Sequence, residues 1–295
     1  MQQIVAYLGP AGTFTEVAAH HFFAGQTARF DPYPAISTVL DAVSEGRADY
    51  AVVPIENSIE GSVTMTMDWL IHQVDLTLKA ELTLPIAQQL VSAARRELPD
   101  IKKVYSHPQA VAQCRLFLHQ HLPHAEIEYT SSTAAAVKSM MSQPDQPWAA
   151  IGTRLARTLY RAEFLREDIQ DHDHNQTRFV LVGTADMPLL RLPQAEQPKT
   201  TYVIRLQSDY PGALHRVLSA FASRQLNLTK IESRPTKNEL GSYYFILDVE
   251  RYASDEELAA AVAEIERLGC AVRCFGSYPA YRQEATQVPV KKGAR

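Results

Sequence analysis

The sequence predicts an α/β chain in two parts: a two-lobed α/β body over residues 1–183, and a smaller split βαββαβ unit over 200–280. Three observations predict it. Strand-like and helix-like segments alternate through the first 183 residues, the pattern of parallel α/β layers. Five strand-to-helix junctions in that stretch fall into two groups, on either side of a long extended segment at 74–93, as two lobes with a crossover would. Beyond a segment with three prolines and no periodicity, 184–199, which reads as a linker, the order of elements changes to β-α-β-β-α-β. A chain of 295 residues exceeds one core of ordinary size, so more than one domain is expected.

In the first body, the strand "IVAYLG" runs into "PAGTFTE", where Thr13 and Glu16 have the spacing of a capping box. "YAVVPI" runs into "ENSIEGS". "KKVYS" runs into "HPQA", with Ser106 and Gln109 spaced as a second box and Pro108 in the first helical turn. "EIEYT" leads to "SSTAAA" and "WAAIG" to "TRLA". Each junction puts small or hydroxyl residues at a helix N-terminus. In open parallel sheets ligands bind outside the carboxyl ends of strands. Helix N-termini there offer free N–H groups and the positive end of a dipole. A cleft lined from both lobes in this way suits a small, multiply charged acid, although any one junction is equally well read as simple capping.

In the second part "TYVIRL" is a strand. Residues 211–225 form a helix with Leu214, Val217, Leu218, Phe221 and Ala222 on one face. "LTKIESRP" is a strand, "KNELG" a turn and "SYYFILDVE" the returning strand. "SDEE", Ser254 to Glu257, reads as a capping box for a helix that buries Leu258, Ala261, Val262, Ile265 and Leu268. "CAVRCFGSY" closes the unit, whose order is the ferredoxin-like one. Residues 281–295 read as a flexible tail.

Composition narrows the function. Apolar residues make up 46% and charged residues 21% of the chain, the balance of a globular enzyme. The net charge of −4 argues against nucleic acid as a partner. No apolar run approaches the length of a membrane span, and "MQQIVAYLGP" lacks the basic head of a signal peptide. Three cysteines, Cys114, Cys270 and Cys274, show no CxxC spacing, so a reduced cytoplasmic protein is expected. The histidine pairs His121/His124 and His172/His174 lack a third ligand at a familiar spacing, so no metal site is expected. No nucleophile elbow, Walker loop or dinucleotide fingerprint occurs, and no cofactor is expected.

Two segments carry chemistry. "PIENSIEG" leaves an apolar strand and turns polar at once; Glu56 and Asn57 need partners if they are buried. It reads either as a site loop in which Asn57 and Ser58 donate hydrogen bonds, or as an Asx turn that caps the next helix. In "NQTRF", Asn175, Thr177 and Phe179 share one face of an extended chain and Arg178 takes the other. Arg is suited to forked carboxylate recognition and a Thr hydroxyl can place one proton. A turn with a surface arginine fits the same spacing.

Taken together, "YLGPAGTFTEVAA", "VVPIENSIEGSV", "YSHPQAVAQC", "STAAAV" and "NQTRFVLVG" resemble the motifs of the prephenate dehydratase family, in its order. "PGALHRVLSAF" and "IESRP" resemble its regulatory ACT domain. The resemblance covers about residues 1–280. It implies a catalytic domain whose lobes, about 1–78 with a return segment and about 79–165, resemble those of type II periplasmic binding proteins. It implies conversion of prephenate to phenylpyruvate, water and carbon dioxide, without cofactor or metal. By resemblance Thr177 assists departure of the hydroxyl and Arg178 binds a carboxylate. Asn57 and Ser58 act with them in the catalytic set. Thr13, Glu56, Ser106, Asn175 and Phe179 form the substrate-binding set. The ACT resemblance implies L-phenylalanine as allosteric effector, bound at Gly212, Ala213 and Leu214 and at Glu232, Ser233, Arg234 and Pro235. Paired ACT units imply a homodimer or homotetramer.

The chain departs from the family pattern at Thr153, where a serine is usual, and in "LYRAEFL", which lacks a usual glycine. No chorismate mutase segment precedes Gln2, which implies a monofunctional enzyme. Arogenate dehydratase and an inactive phenylalanine-sensing binding protein are the alternatives.

Overall fold

A computed structural model of the chain describes residues 2–192, 196–207, 210–236 and 243–283. They form two compact units, the first built mainly from residues 2–74 and 82–179 and the second from 75–81 and 180–281.

The first unit opens with β1 (Gln3–Leu8), α1 (Phe14–Phe22), β2 (Ala28–Tyr33), α2 (Ile36–Ser44) and β3 (Tyr50–Asn57). A short β4 (Gly61–Ser62) folds back on β3, and α3 (Thr64–His72) follows. Strand β1 pairs in parallel with both β2 and β3. Val5, Ala6, Tyr7, Ala51, Val52 and Val53 are buried, so these strands read as continuous apolar runs, as strands covered on both faces must.

The chain crosses to the second lobe through β5 (Thr77–Pro85) and β6 (Gln89–Ser92). There β7 (Lys103–Ser106), α4 (Pro108–Gln113), α5 (Arg115–His121), β8 (Glu126–Tyr129), α6 (Thr133–Met141), β9 (Trp148–Gly152), α7 (Arg154–Tyr160) and β10 (Glu163–Arg166) follow in turn. Their sheet has the order β10-β6-β9-β7-β8. The chain then returns in β11 (Gln176–Gly183), next to β3. Two lobes joined by two crossings are as expected. The purely parallel layering is not: β6 runs antiparallel to β9 and β10 antiparallel to β6. The crossover strand enters the sheet from the opposite end, which an alternation of elements cannot reveal. The expected lobe border at 78/79 falls inside β5.

The second unit holds β12 (Gln197–Arg205), α8 (Ala213–Ala222), β13 (Leu228–Pro235), β14 (Tyr243–Val249), α9 (Glu256–Arg267) and β15 (Ala271–Arg282). The antiparallel order β13-β14-β12-β15 is the ferredoxin-like one, and the start of β5 adds a further strand beside β15. Gly276 makes that addition possible: a Cβ there would lie 2.4 Å from the Leu78 carbonyl oxygen. Val217, Ala220 and Phe221 of α8 and Leu258, Ala261 and Ile265 of α9 pack with Tyr202, Ile204, Leu247 and Val249 into one core.

Several local readings need correction. The buried face of α8 is Ala213, Val217, Ala220 and Phe221, while Ala222 is exposed and Leu214 and Leu218 are half-buried. The stripe is rotated because α8 packs on both a sheet and α9. Asp255, not Ser254, caps α9, accepting the Leu258 N–H at 3.0 Å. Val262 and Leu268 are only half-buried. Gln197–Lys199, read as linker, are strand because they pair with Tyr278–Ala280, and the same pairing carries β15 past residue 281, where the tail was expected. All of the "KNELG" turn and most of the tail lie outside the described residues.

Candidate active site

The parallel strands β1 and β3 are neighbours, so their carboxyl ends lie at one edge of the first-lobe sheet. The first residues of β11 reach the same edge. As residue numbers fall along β3 they rise along β11: Ser58 N–H donates to Gln176 O at 2.9 Å, Asn57 meets Thr177, and Glu56 meets Arg178. The site loop and the "NQTRF" segment, more than a hundred residues apart in sequence, are thus one structure.

Asn57 is its hub. Its Oδ1 accepts the N–H groups of Ile59 at 3.0 Å and Glu60 at 3.1 Å, which is the Asx turn. Its Nδ2 donates to Asn175 Oδ1 at 2.9 Å, Thr177 Oγ1 at 2.9 Å and Gln176 O at 3.1 Å. Both open readings of this segment therefore describe the same residue, except that the turn caps no helix. The β4 hairpin intervenes, and α3 starts after Val63 without a side-chain cap. Ser58 Oγ accepts the Gln176 N–H at 2.9 Å and reaches toward the His174 carbonyl oxygen at 3.4 Å.

Alternation along β11 divides the remaining residues. Asn175 and Thr177 share the face of Asn57 and are buried, 2% and 8% exposed. Thr177 Oγ1 accepts from Asn57, and among the described residues no acceptor takes its own proton. Phe179 continues that face but is fully buried, so it mounts the strand in the core rather than lining an open cleft. Arg178 points to the other face, where its Nη1 donates to Glu56 Oε2. The sequence placed Arg178 and Glu56 in separate roles; the structure pairs them, because residues of equal parity on adjacent strands share a face.

The cap residues divide as well. Thr13 caps α1, accepting from Glu16 N–H at 3.4 Å and donating to Leu8 O at 3.0 Å. The returning half of the expected box goes elsewhere: Glu16 Oε2 accepts from Gly12 N–H. Burial, and then the Glu16 carboxylate, pushes the Tyr7 hydroxyl well above its ordinary value, and the same two causes raise Tyr160. Ser106 does not cap α4. It is fully buried and donates to Ile151 O at 3.3 Å, while His107 Nδ1 accepts the Gln109 N–H. Pro108 takes the first helical position as expected. Ser132 caps α6 and Thr153 caps α7.

The sequence did not reveal how the lobes meet. Thr153 Oγ1, in the second lobe, donates to Gly12 O in the first at 2.6 Å. Gly12 has a φ of 95°, and a Cβ there would lie 3.0 Å from Ala156 Cβ and 3.3 Å from Ala134 Cβ. The starts of α1, α6 and α7 therefore converge on Gly12. The run of small residues around these positions was the available signal. The departure from serine at Thr153 keeps the hydroxyl that both the cap and the lobe contact need. Among the described residues no cluster of three or more His, Cys, Asp or Glu is placed to hold a metal, and no helix is long and apolar enough to cross a membrane.

In the second unit Gly212 starts α8 with a φ of 93° and open space beside it, while Ala213 is buried and Leu214 half-buried. On β13, Ser233 and Pro235 face outward with Ile231. Glu232 and Arg234 take the other face, where Glu232 also lies 3.1 Å from Lys230 Nζ. Leu206, Gln207, Tyr210, Ala213, Arg216 and Cys270 line a cavity of about 280 Å³ near the start of α8.

Comparison with known proteins agrees with this architecture. The prephenate dehydratase family model matches residues 5–187 and the ACT domain model residues 202–267. The prephenate dehydratase of Bacillus subtilis (strain 168) is 44% identical, over 94% of this chain and 99% of its own. A crystal structure of prephenate dehydratase from Arthrobacter aurescens in complex with L-Phe superposes with a TM-score of 0.82 at 41% identity, covering 93% of this chain and 89% of that one. GqqA, described as a novel type of quorum quenching acylase, also superposes with a TM-score of 0.82, at 26% identity over 94% of this chain and 98% of its own.

Proposed function

The chain belongs to the prephenate dehydratase family, and we propose that it converts prephenate to phenylpyruvate under the control of L-phenylalanine. The observation that carries the reading is the hydroxyl of Thr177, which accepts a hydrogen bond from Asn57 and keeps its own proton for a ligand. The GqqA likeness shows that fold alone does not decide activity; the side chains of the site do.

The reaction is a decarboxylating elimination. The C–C bond to the ring carboxylate breaks, and its electron pair shifts through the diene and expels the C4 oxygen. Carbon dioxide and water leave, and the ring becomes aromatic. Hydroxide is a poor leaving group, so a donor aimed at the departing oxygen lowers the barrier. Thr177 supplies that hydrogen bond, and the Asn57 N–H fixes its direction. The proton that completes the water comes from solvent through this contact, since a threonine alkoxide is too basic to persist. Arg178, paired with Glu56 on the opposite face of the strand, acts indirectly by holding β11 against β3, so the carboxylate role implied for it by resemblance does not fit its position. Ser58 holds the two segments together. Thr13 and Ser106 act indirectly, because each already spends its proton on a backbone carbonyl.

The second unit is the regulatory module. Gly212 and Leu214 offer N–H groups to the effector's carboxylate, and Glu232, Ser233, Arg234 and Pro235 complete the site between subunits. The Ala213 N–H already donates to Tyr210 O at 3.0 Å, so Ala213 lines the site without supplying a donor. Strand β13 ends its sheet with Ile231 exposed, and Tyr243 is exposed on the adjoining β14, an edge suited to pairing with a second copy, in a homodimer or homotetramer. Three free thiols suit the reducing cytoplasm. The test is turnover of prephenate by the pure protein, with and without L-phenylalanine, beside turnover of arogenate. Phenylpyruvate formation that responds to L-phenylalanine is expected. A preference for arogenate in kcat/KM would move the substrate to the amino acid. Binding of prephenate without product would leave only a sensor.

A further inference from the structure

The hydrogen bonds of the site fix which way both amides face. Backbone N–H groups only donate, so the atom of Asn57 that meets Ile59 and Glu60 is its oxygen. Its NH2 end therefore faces Asn175 and Thr177. An NH2 group also only donates, so the atom of Asn175 that faces it is the carbonyl oxygen. Turning the Asn175 amide over would set two NH2 groups against each other at 2.9 Å. Ser58 Oγ, 3.5 Å away, lies on that same oxygen.

The Asn175 Nδ2 group consequently points away from Asn57. It is buried and has no hydrogen-bond partner among the described residues, on a side chain that is 2% exposed. A buried donor without a partner opposes folding, and such groups are rare in native proteins. Of the Asn175 side-chain amide, only the oxygen pairs within the protein. An unspent donor beside the Thr177 hydroxyl is explained by a ligand that pairs with it.

We propose that Asn175 Nδ2 is a neutral hydrogen-bond donor to the ring carboxylate of the bound substrate, the group that leaves as carbon dioxide. This rests on the prephenate reading above. Residues 175 and 177 share a strand face about 7 Å apart along the chain. That is roughly the reach from the C4 oxygen, served by Thr177, across the ring to the carboxylate at its other end. The charge type also fits. The ring carboxylate loses its negative charge as the C–C bond breaks. A cation bound to it would hold the ground state more tightly than the transition state and slow the reaction. A neutral amide orients the group with less of that penalty. Arg178, the cation of the motif, lies on the opposite face with Glu56.

The experiment compares the full-length wild type with Asn175→Ala and Asn175→Asp, all rates taken above the uncatalysed rate at each pH. Asn175→Ala leaves Asn57 Nδ2 with Gln176 O and Thr177 Oγ1, so the site keeps its frame. It should raise KM for prephenate by about tenfold to a hundredfold, the range for one hydrogen bond to a charged group, with a smaller change in kcat. Asn175→Asp keeps the oxygen toward Asn57. Its second oxygen repels the substrate when ionised and donates when protonated. Its kcat/KM relative to wild type should therefore rise as pH falls and the new carboxyl takes up a proton, a signature that mere structural damage would not produce. An unchanged KM in Asn175→Ala, or an Asn175→Asp profile parallel to wild type, would overturn the proposal. Absence of turnover in the wild type would instead overturn the functional reading.

Discussion

Replacing Thr153 by valine tests how the lobes of the first unit are held. The side chain is 1% exposed and its hydroxyl has two tasks: it accepts the Ala156 N–H at 2.9 Å as the cap of α7 and donates to Gly12 O at 2.6 Å. Valine keeps the shape and removes both. Loss of a cap costs about 1 kcal/mol. Leaving the buried Gly12 carbonyl without its donor costs about 1–3 kcal/mol more. The expected total is about 2–4 kcal/mol, which in a unit of this size lowers Tm by about 6–12 °C. Thr153→Ser retains both hydrogen bonds and loses only a methyl group, so it should stay within about 1.5 kcal/mol of wild type. Thermal and urea unfolding of the two variants give the comparison. Because the bond to Gly12 spans the lobes, KM for prephenate should rise in the valine variant and not in the serine variant. Equal stability and equal KM in the two variants would refute the reasoning, since they differ in the hydroxyl.

Three further outcomes are expected. Thr177→Ala should lower kcat by about a hundredfold or more with little change in KM, while Thr177→Ser stays within about tenfold of wild type; steady-state kinetics would show otherwise if the hydroxyl is idle. In the second unit Glu196 accepts from Tyr252 O–H at 2.6 Å, and this bond, with Arg191 and Tyr281, holds its carboxyl below the ordinary value of 4.5. A depressed carboxyl stabilises the fold above its unfolded value and loses that contribution as pH falls through the folded one. The stability gap between wild type and Glu196→Gln should thus be constant above about pH 5.5 and begin to shrink on acidification below 4.5; a gap that does not change at all on acidification through this range counts against it. Burial pushes the Cys114 thiol far above its ordinary value, so a thiol reagent should modify exposed Cys274 in the native protein and reach Cys114 only on unfolding.

Much of the fold was legible because the signals are local. Apolar periodicity located β13 to the residue and most other strands within a few, and hydroxyl residues marked the starts of α1, α6 and α7. Parity along an extended chain by itself places Asn175 and Thr177 on one face and Arg178 on the other. Ser106 shows where that method ends. Its spacing to Gln109 matches a capping box, yet it is buried against Ile151 of a strand about forty-five residues away, and His107 caps instead. Spacing specifies what a side chain can do locally, not which distant group arrives to compete for it.

The sequence by itself determined the order of elements, the residue types at each strand end and the faces on which they stand. Those follow from backbone geometry and side-chain chemistry, which act over a few residues. Only the tertiary structure decided the partners. It joined Asn57 to Asn175 and Thr177, turned Arg178 toward Glu56, set Gly12 beneath Thr153, and left Asn175 Nδ2 unpaired. Each of these depends on which strands and lobes come to lie side by side. That is settled by burial of the whole core, to which no short stretch of sequence has access.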